Sequence, residues 1–594
     1  MFLATTGLVE LWDTRDEIIV LGSWGLREDQ RENWKTLKVT RASSPWSDNR
    51  AIAKAAGYCC EATEGLEESL GLFLNQTHGT SHGKRYWKTL LGGWLLYYVH
   101  AFYDRYTALK RAFDNYENLK AVVLDPACYE TPLDTVDFLR LAYGPAQDQF
   151  NLQMYSQALR AMGLKEAIWK QVALSHPHKR PKQEVRAIKR LVQCLSPWFT
   201  RTTRPEIMMG TGFKHAQLLR LVTLMAPQGG VQPGPRPVFQ EPRALDQSLR
   251  EQIGNIPSRD EFTSALVKSL RFNFPVIWLE GYADFRDSCL KIWPHRPKII
   301  VSGNDWYGNE PFKLLAAEFQ ERGSRLWGLQ SGAGYGMSAV IPQEEFESSI
   351  VDRWISYGWS DLQGTAAVES LPHPRFPSLR KKNGQRLKNA RGILLVTTNH
   401  PQYHHRFESG VLGKFGEIID WRDRFIQALP DTHRRRLAIK LKDDHDPWEQ
   451  KKRLREAHGP LRIEGTKKSF HRLLAESRIA VIEYYGTTML EALAADIPTV
   501  LFWDPQTWQF RESAQPYIEK LREAGILHET PEAAAHHVLQ VYEVPSHWWD
   551  SKLVQTARKA FVERYALGNK NWAGDWVKAF RKELSCIHRE QAAA

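Results

Sequence analysis

The chain has 594 residues, which predicts two or three domains, and its hydrophobic fraction of 42% is ordinary for a globular protein with sizeable cores. A net charge of +12 favours anionic partners such as nucleic acid, acidic lipid or anionic substrates. The six cysteines include no C-x-x-C pair, which excludes a disulfide framework and a structural zinc site and indicates a reducing compartment.

The N-terminus does not read as a signal peptide. Residues 1–17 have no basic first segment, and Glu10 and Asp13 interrupt the apolar run. The most apolar window, residues 90–103, is too short to span a bilayer. We therefore expect a cytoplasmic protein that can attach peripherally to the inner membrane.

The first part of the chain alternates between strand-like and helical segments. Strands are predicted at residues 17–24, 119–125, 298–304 and 325–330, and helices at 60–118, 134–195, 258–271 and from 311. Residues 226–242 are rich in Pro and Gly and must form a loop. Strand–helix–strand alternation is typical of a parallel sheet.

The same alternation resumes after a segment of prolines and charges at residues 371–391, which is the best domain boundary. The short, fully apolar strands of this second part lie at 392–398, 436–441, 461–465, 478–485 and 498–504. They predict a second doubly wound domain. The predicted divisions are an α/β domain at 1–375 with a helical insertion at about 60–270, a linker at 376–391, a second α/β domain at 392–560 and a helical tail at 561–594.

The clearest candidate site follows the strand at 478–485. Gly486, Thr487 and Thr488 lead from this strand into a helix, whose N-terminus offers free N–H groups and a positive dipole end to an anion. Alternatively, Thr488 and Glu491 form a T-x-x-E capping box. The position at a strand's carboxyl end, where ligands bind in open α/β sheets, favours a phosphate site.

This segment, YGTTMLEALAADIPTVLF, resembles the donor-nucleotide element of GT-B glycosyltransferases, including sialyl- and Kdo-transferase-like enzymes. The chain is also similar, almost end to end, to a family of bacterial transferases from O-antigen and surface-polysaccharide gene clusters, first named from a Leptospira locus. The matching segments are FLATT with IIVLGSW, YWKTLLGGWLLYYVHAFYDRY (86–106), DQFNLQMYS (148–156), GLQSGAGYG (328–336), FESSIVDRWISYGW (346–359) and residues 481–505.

The resemblance implies two Rossmann-like domains in the GT-B manner, with the acceptor on the first and the nucleotide sugar on the second. It places QSGAGYG at the rim of the first domain, where glycines let the backbone approach a sugar or phosphate. A tight chain reversal is the alternative. The predicted binding residues of this loop are Gln330, Ser331, Gly332, Gly334, Tyr335 and Gly336. Ser331 stands where the family pattern has a histidine, and Ala333 replaces a glycine.

Two further residues are candidates for the donor phosphate. His400 stands in a His-Pro pair that resembles the pair with which sialyltransferase-like enzymes contact the nucleotide phosphate. Lys440 lies at a predicted strand end and could neutralise phosphate charge. The alternative for His400 is a solvated loop position.

Four carboxylates are candidate bases or nucleophiles for glycosyl transfer. Asp305 follows a predicted strand end, and Glu280 follows the apolar run NFPVIWL. Glu347 and Asp352 come soon after QSGAGYG, and surface acids paired with Arg353 are the alternative for these two. The D-x-D at residues 444–446 is interpreted as a polar loop, not as a metal site.

The predicted function is glycosyl transfer from a nucleotide sugar, such as a CMP-activated Kdo-like or nonulosonic acid, to a surface-polysaccharide or O-antigen acceptor, glycan or lipid-linked. No cofactor and no metal are expected, because GT-B enzymes stabilise the leaving phosphate with dipoles and bases. Nucleic acid is not expected, since no RNP motif or zinc-finger spacing occurs. Another nucleotide- or phosphate-using α/β transferase and, because of Ser331, an inactive family member are the alternatives.

The C-terminal stretch 569–584 is amphipathic. Trp572, Trp576, Val577 and Phe580 recur at helical spacing between basic residues. Packing as an ordinary amphipathic helix is the favoured interpretation. Attachment to an anionic membrane surface is the alternative.

Overall fold

The computed structural model describes residues 1–46, 48–145, 147–163, 169–174, 205–226, 230–238, 240–360, 366–376, 390, 392–410, 414–442 and 446–593. The predicted α/β class with doubly wound parallel sheets is confirmed, because every pairing between the strands of its three sheets is parallel. Most of the predicted linker and the first two residues of D-x-D lie outside the described residues.

Sheet 1 is formed by the start of the chain and has the strand order β3-β2-β1-β4-β5. Its strands are β1 (Phe2–Ala4), β2 (Ile18–Val20), β3 (Val39–Arg41), β4 (Lys120–Leu124) and β5 (Trp169–Val172). Its helices are α1 (Arg31–Trp34), α2 (Asn49–His78), α3 (Lys84–Asn115), α4 (Thr135–Tyr143) and α5 (Gln147–Ala161). This sheet is additional to the two that the sequence predicted.

Sheet 2 has the order β11-β10-β9-β8-β6-β7. Its strands are β6 (Ile207–Met209), β7 (Val231–Pro233), β8 (Ile299–Ser302), β9 (Arg325–Leu329), β10 (Arg353–Ser356) and β11 (Ala367–Ser370). Its helices are α6 (His215–Met225), α7 (Gln247–Ile253), α8 (Glu261–Asn273), α9 (Val276–Leu279), α10 (Tyr282–Ile292), α11 (Asp305–Gly308), α12 (Glu310–Glu321) and α13 (Pro342–Ile350). The predicted insertion at about 60–270 thus contains strands as well as helices.

Sheet 3 has the order β14-β13-β12-β15-β16-β17. Its strands are β12 (Gly392–Val396), β13 (Leu437–Lys440), β14 (Arg462–Glu464), β15 (Ser477–Ile482), β16 (Thr499–Phe502) and β17 (Leu527–His528). The helices from here on are α14 (Phe415–Gln427), α15 (Asp431–Arg434), α16 (Gln450–His458), α17 (Phe470–Glu476), α18 (Thr487–Ala494), α19 (Gln515–Glu523), α20 (Pro531–Val541), α21 (Pro545–Trp549), α22 (Lys552–Tyr565) and α23 (Trp572–Ala593).

Each sheet is wound outwards from its first strand. The chain adds strands on one side of β1, β6 or β12 and then crosses to the other side, which creates a switch point. Because all pairings are parallel, the strands of each sheet end at one edge. Ligands bind outside such carboxyl edges at the switch points.

The C-terminal helix α23 returns to sheet 2. Trp572, Trp576, Val577 and Phe580 are buried in one hydrophobic cluster with β6, β8 and β9, and the Trp576 indole N–H donates to the Pro372 carbonyl at 3.1 Å. The apolar stripe of α23 therefore packs on the protein, as the favoured interpretation predicted, and is not available to a membrane. Among the described helices, none is long and apolar enough to cross a bilayer.

Candidate functional site

The carboxyl edges of sheets 2 and 3 meet along a line of contact, which we call the seam. The loop after β9 carries Ser338, whose hydroxyl is hydrogen-bonded to the hydroxyl of Tyr485 in the loop after β15. Beside this bond, the Arg511 backbone N–H donates to the Met337 carbonyl at 2.9 Å. The seam therefore brings QSGAGYG next to the predicted phosphate site.

On the sheet 3 side of the seam, the N-terminus of α18 has no side-chain cap. Its N-cap is Gly486, with an extended backbone (φ −152°), and Thr487 and Thr488 in its first turn are partly exposed. Within the described part of the chain, the Thr488 hydroxyl is hydrogen-bonded to the Tyr484 hydroxyl at 3.1 Å. The helix end thus keeps backbone donors and its positive dipole for an anion.

The T-x-x-E capping box is not formed. Glu491 lies one turn inside the helix and accepts a hydrogen bond from His471 Nε2 at 2.9 Å. Its other oxygen forms an ion pair with Arg375 at 3.3 Å. Because Gly486 is the N-cap, Thr488 is already the second helical residue and cannot act as a cap.

Two residues of QSGAGYG serve the chain reversal. The Gln330 side-chain oxygen accepts from the Tyr357 backbone N–H and the Trp359 indole N–H, both at 2.8 Å. Gly336 has φ +71°, and a Cβ added there would lie 2.5 Å from the Trp359 ring. Both positions are buried, so neither is accessible to a ligand.

The other glycines of the loop lie at the seam. Ser331, Gly332 and Gly334 are only partly buried. A Cβ at Gly334 would lie 3.9 Å from the Tyr485 ring, whereas a Cβ at Gly332 would meet nothing nearer than 3.6 Å. The loop therefore combines both expectations: Gly336 turns the chain, and the earlier residues border the space between the sheets.

Glu347 on α13 is the most unusual carboxylate near the seam. It is fully buried, and one oxygen accepts hydrogen bonds from the hydroxyls of Tyr307 at 2.5 Å and Tyr335 at 2.7 Å. Within the described part of the chain, its other oxygen has no hydrogen-bond partner. Burial raises the pKa of Glu347 to about 8, although the two tyrosine hydroxyls oppose this shift.

The remaining three candidate carboxylates are held in structural contacts. Asp305 lies at the sheet 2 switch point, where it accepts from the Thr211 backbone N–H at 2.5 Å and from Ser302 at 2.6 Å. Asp352 precedes β10 at the amino edge of the sheet, away from the seam, and accepts from Arg85 at 2.9 Å.

Glu280 is likewise removed from any strand end. The apolar run before it forms the short helix α9 and not a strand, with Pro275 as the N-cap of this helix. Both Glu280 oxygens accept from Arg250 at 2.8 Å. The hydrogen bonds and ion pairs of all three carboxylates therefore hold neighbouring helices and loops in place.

A glycine-rich loop that the sequence analysis missed joins β6 to α6. Gly210, Thr211 and Gly212 stand at the sheet 2 switch point, and Thr211 and Gly212 are exposed. A Cβ at Gly210 would lie 2.3 Å from Asp305, so the backbone must come this close. The pattern MMGTGFKH, a short apolar strand followed by G-x-G and a helix, was the available signal.

His400 and Lys440 both lie at the carboxyl edge of sheet 3. Lys440 ends β13, and its ammonium donates to the Gly465 carbonyl at 2.5 Å. His400 follows β12 and lines a pocket with Ser23 and Trp24 of the sheet 1 unit. Burial lowers the pKa of His400 to about 3, so the ring is neutral at physiological pH.

A buried ion pair fixes the loops around the sheet 3 switch point. Glu483, directly after β15, accepts from Arg422 at 2.5 and 2.8 Å, and both side chains are about 1% exposed. Glu483 also accepts from the Thr398 backbone N–H at 3.0 Å. Among the described residues, no group of three His, Cys, Asp or Glu side chains is placed to hold a metal ion.

The sequence matches the family described as LIC12162 family transferase over residues 1–580. No curated protein matches it. Solved structures with a similar fold include the wall teichoic acid polymerase TagF, at 11% identity and a TM-score of 0.35 over 68% of this chain and 96% of that one. MurG from Acinetobacter baumannii has 14% identity and a TM-score of 0.31 over 63% and 99%. WaaG, a glycosyltransferase involved in lipopolysaccharide biosynthesis, has 13% identity and a TM-score of 0.28 over 62% and 99%.

Proposed function

The chain belongs to the LIC12162 family of transferases, and from that premise we propose that it transfers a glycosyl group from a nucleotide-activated sugar to a glycan acceptor. The observation that carries this proposal is the uncapped N-terminus of α18, which opens at the seam opposite the glycine-bearing loop of sheet 2. A diphosphate or monophosphate leaving group is the anion that such a helix end accepts.

In this proposal, the donor phosphate lies against the first turn of α18, and the hydroxyls of Thr487 and Thr488 add two donors. Ser331 and the Gly332 backbone border the sugar from the sheet 2 side. As the bond between the anomeric carbon and the phosphate oxygen breaks, the helix dipole stabilises the charge that develops on the phosphate. No metal is required for this step, because the fixed dipole and hydroxyls supply the stabilisation.

We assign the role of general base to Glu347, acting through Tyr307. Tyr307 is partly exposed and donates its hydroxyl proton to Glu347. When the acceptor hydroxyl attacks the anomeric carbon, its proton passes to the Tyr307 oxygen while the tyrosine proton moves to Glu347. The ionised form of Glu347 that accepts this proton becomes populated as the pH approaches its pKa of about 8.

The proposed donor, acceptor and location of the reaction rest on the sequence resemblance. We propose a CMP-activated Kdo-like or nonulosonic acid as donor and a surface-polysaccharide or O-antigen glycan, free or lipid-linked, as acceptor, with the reaction at the cytoplasmic face of the inner membrane. The net charge of +12 supports an anionic donor.

The test is thermal stabilisation of the full chain by CMP, CDP, UDP, GDP and dTDP. A nucleotide that binds only the folded state stabilises it by about 2.7 kcal/mol at a hundred times its Kd. We expect a selective rise in Tm that is lost in the Thr487→Ala/Thr488→Ala variant. The matched control is Thr432→Ala, an exposed threonine on α15 at the amino edge of sheet 3, which should keep the full response.

Three outcomes would contradict the proposal. Absence of a Tm rise with every nucleotide would remove the donor site at α18. A rise that persists in the double variant would place the nucleotide elsewhere. A selective rise without sugar release from the matching nucleotide sugar would instead favour another nucleotide-using transferase or an inactive member.

A further inference from the structure

A close contact between helices lies beside the Tyr307–Glu347 pair. Helix α3 of the sheet 1 unit contacts α11, which carries Tyr307, and α13, which carries Glu347. Two adjacent glycines of α3, Gly92 and Gly93, face these helices, and we call them the glycine notch. A Cβ added at Gly93 would lie 2.5 Å from the Trp306 carbonyl oxygen and 2.9 Å from the Tyr307 Cα. Helix α3 therefore packs directly on the backbone that carries the Tyr307 side chain.

Gly92 makes the corresponding contact with α13. A Cβ added there would clash with the ring of Phe346, the residue before Glu347, whose Cδ2 would lie 2.9 Å away. The Phe346 ring in turn contacts the Tyr307 ring, with 5.8 Å between their centroids. One turn further along α3, the Tyr97 ring lies 5.9 Å from the Tyr307 ring. The Tyr307 side chain is thus contacted by Phe346 and by α3.

The glycine notch is unfavourable for α3 taken alone. Glycine is the poorest helix former except for proline, and both glycines stand in the interior of a helix that spans Lys84–Asn115. Gly57 and Gly65 of α2 are different, because a Cβ there would meet no atom within 4 Å. At the notch, neighbouring atoms occupy the place of each Cβ, and close approach of a backbone is the use that suits glycine. The contact therefore requires glycine at both positions.

The separation of Tyr307 and Glu347 depends on this contact. The Tyr307 hydroxyl donates to Glu347 at 2.5 Å, and α11 and α13 carry one partner each. Because α3 touches both helices through adjacent residues, it fixes how far apart they lie. A misplacement of about 1 Å can lower a rate roughly a hundredfold. Helix α3 is therefore placed to set the geometry of proton transfer between the two side chains.

We propose that Gly92 and Gly93 are positioning residues for the Tyr307–Glu347 pair, and that the sheet 1 unit thereby contributes to the geometry of the reaction site. The role of the pair as a base rests on the proposed function, whereas its position against α3 does not. An alanine at either glycine separates α3 from α11 or α13 and weakens the hydrogen bond between Tyr307 and Glu347.

The titration of Glu347 reports this hydrogen bond. Burial raises the pKa of Glu347, and the Tyr307 hydroxyl opposes this shift because it donates to the ionised carboxylate. A weaker hydrogen bond from Tyr307 should therefore raise the pKa of Glu347 further. The ionisable groups that face Glu347 come from α3, α11, α13 and the loops after β9 and β12: Tyr97, Tyr307, Glu344, Tyr335 and Arg406.

The test is the pH dependence of unfolding of the full chain, with and without Glu347→Gln, in the unaltered chain and in Gly93→Ala. The difference within each pair isolates Glu347 from Glu67, a carboxyl near Gly92 whose pKa burial raises to about 7. We expect the Glu347 midpoint to rise by about half a pH unit or more in Gly93→Ala. In transfer assays, Gly93→Ala should lower kcat about tenfold or more, while the rise in Tm with nucleotide stays unchanged.

Gly92→Ala is the second variant, and it should fold even where Gly93→Ala does not, because its methyl group meets a side-chain ring and not backbone. The Glu347 midpoint should move in the same direction. Adding Phe346→Leu removes the ring atoms that the methyl group meets and should return the midpoint towards that of the unaltered chain.

Two controls should leave the Glu347 midpoint unchanged. Gly65→Ala inserts the same methyl group into an exposed position of α2, where no atom lies within 4 Å. Trp576→Ala lowers stability through a different hydrophobic cluster from that of Phe346 and Tyr335. It therefore separates a change in the Tyr307–Glu347 pair from a general loss of stability.

Three results would overturn the inference. The first is an unchanged Glu347 midpoint in a folded Gly93→Ala or Gly92→Ala variant. The second is an equal shift in Gly65→Ala or Trp576→Ala. The third is an unchanged kcat in a notch variant whose midpoint has moved. Full transfer activity in Glu347→Gln would instead remove the base from the proposed function, while a shifted midpoint would still show that the notch positions the pair.

Discussion

Two glycines of one loop offer a matched test of how the seam is built. Gly336→Ala and Gly332→Ala insert the same methyl group four residues apart, but the structure gives them opposite surroundings. At Gly336 the backbone is left-handed and a Cβ would lie 2.5 Å from the fully buried Trp359 ring. At Gly332 the nearest atom is 3.6 Å away, an ordinary contact distance.

The magnitude at Gly336 has two parts. A left-handed conformation costs an L-residue roughly 1–2 kcal/mol. The clash with Trp359 is an overpacking of a filled site, which costs about 1–3 kcal/mol. Trp359 has little freedom to move away, because its indole N–H donates to Gln330 at 2.8 Å. We therefore expect Gly336→Ala to lower the free energy of unfolding by about 2–5 kcal/mol and Gly332→Ala to leave it almost unchanged.

Calorimetry of the two variants tests this expected difference in stability. For a cooperative unit of about 150–250 residues, each kcal/mol lowers Tm by roughly 2–4 °C. The Tm of the Gly336→Ala variant should therefore fall by at least about 4 °C. The Gly332→Ala variant should melt like the unaltered chain and show weaker nucleotide stabilisation. Equal Tm values for both variants would refute the assignment of Gly336 to the chain reversal. A large Tm loss at Gly332 would refute its place at the seam.

Four other changes have defined outcomes. Arg422→Met should destabilise the chain by about 3–5 kcal/mol in urea unfolding, because it leaves the charge of Glu483 buried and unpaired, and adding Glu483→Gln should recover most of the loss. Since the folded-state pKa of Glu347 is raised from 4.5 to about 8, its contribution to stability is complete below pH 4.5 and is lost as pH rises to 8; the unfolding free energy should therefore fall over this range relative to Glu347→Gln. Trp576→Ala should cost about 3–5 kcal/mol in the same assay, because the indole is fully buried against sheet 2, and a shift under 1 kcal/mol would contradict that packing. Chelation with EDTA should leave the transfer rate unchanged, whereas a loss restored by a divalent cation would contradict a metal-independent reaction.

The central strands of sheet 3 could be predicted because their sequences are apolar at nearly every position, whereas the short edge strand β17 was not predicted. Residues 392–398 and 478–485 were expected as strands, and they contain β12 and β15, which are buried on both faces. By contrast, β6 is only three residues long and consists of Ile and two Met, which gives no periodic signal. The length and composition of β6 explain why the glycine-rich loop after it was missed.

The carboxylates show where sequence reasoning about the site fails. Asp305 and Glu347 look equivalent in the sequence, each close to a predicted strand end or glycine-rich turn. The difference arises from the folded surroundings: Thr211 and Ser302 donate to Asp305, whereas burial raises the pKa of Glu347 even though Tyr307 donates to it. Such partners come from separate strands and cannot be read from local spacing.

The N-terminus of α18, at the candidate site, departs from the usual preference for a side-chain cap. With Gly486 as its N-cap, this helix end forgoes roughly a few tenths of a kcal/mol relative to a Ser, Thr, Asp or Asn cap. The chain has threonines one and two positions later and a glutamate within reach, yet Gly486 occupies the cap, and Glu491 is engaged by Arg375 and His471 instead. Natural sequences depart from local preference mainly where function demands it. The departure keeps the backbone donors of this helix end open toward the seam, and a bound phosphate would satisfy the donors that no side chain caps.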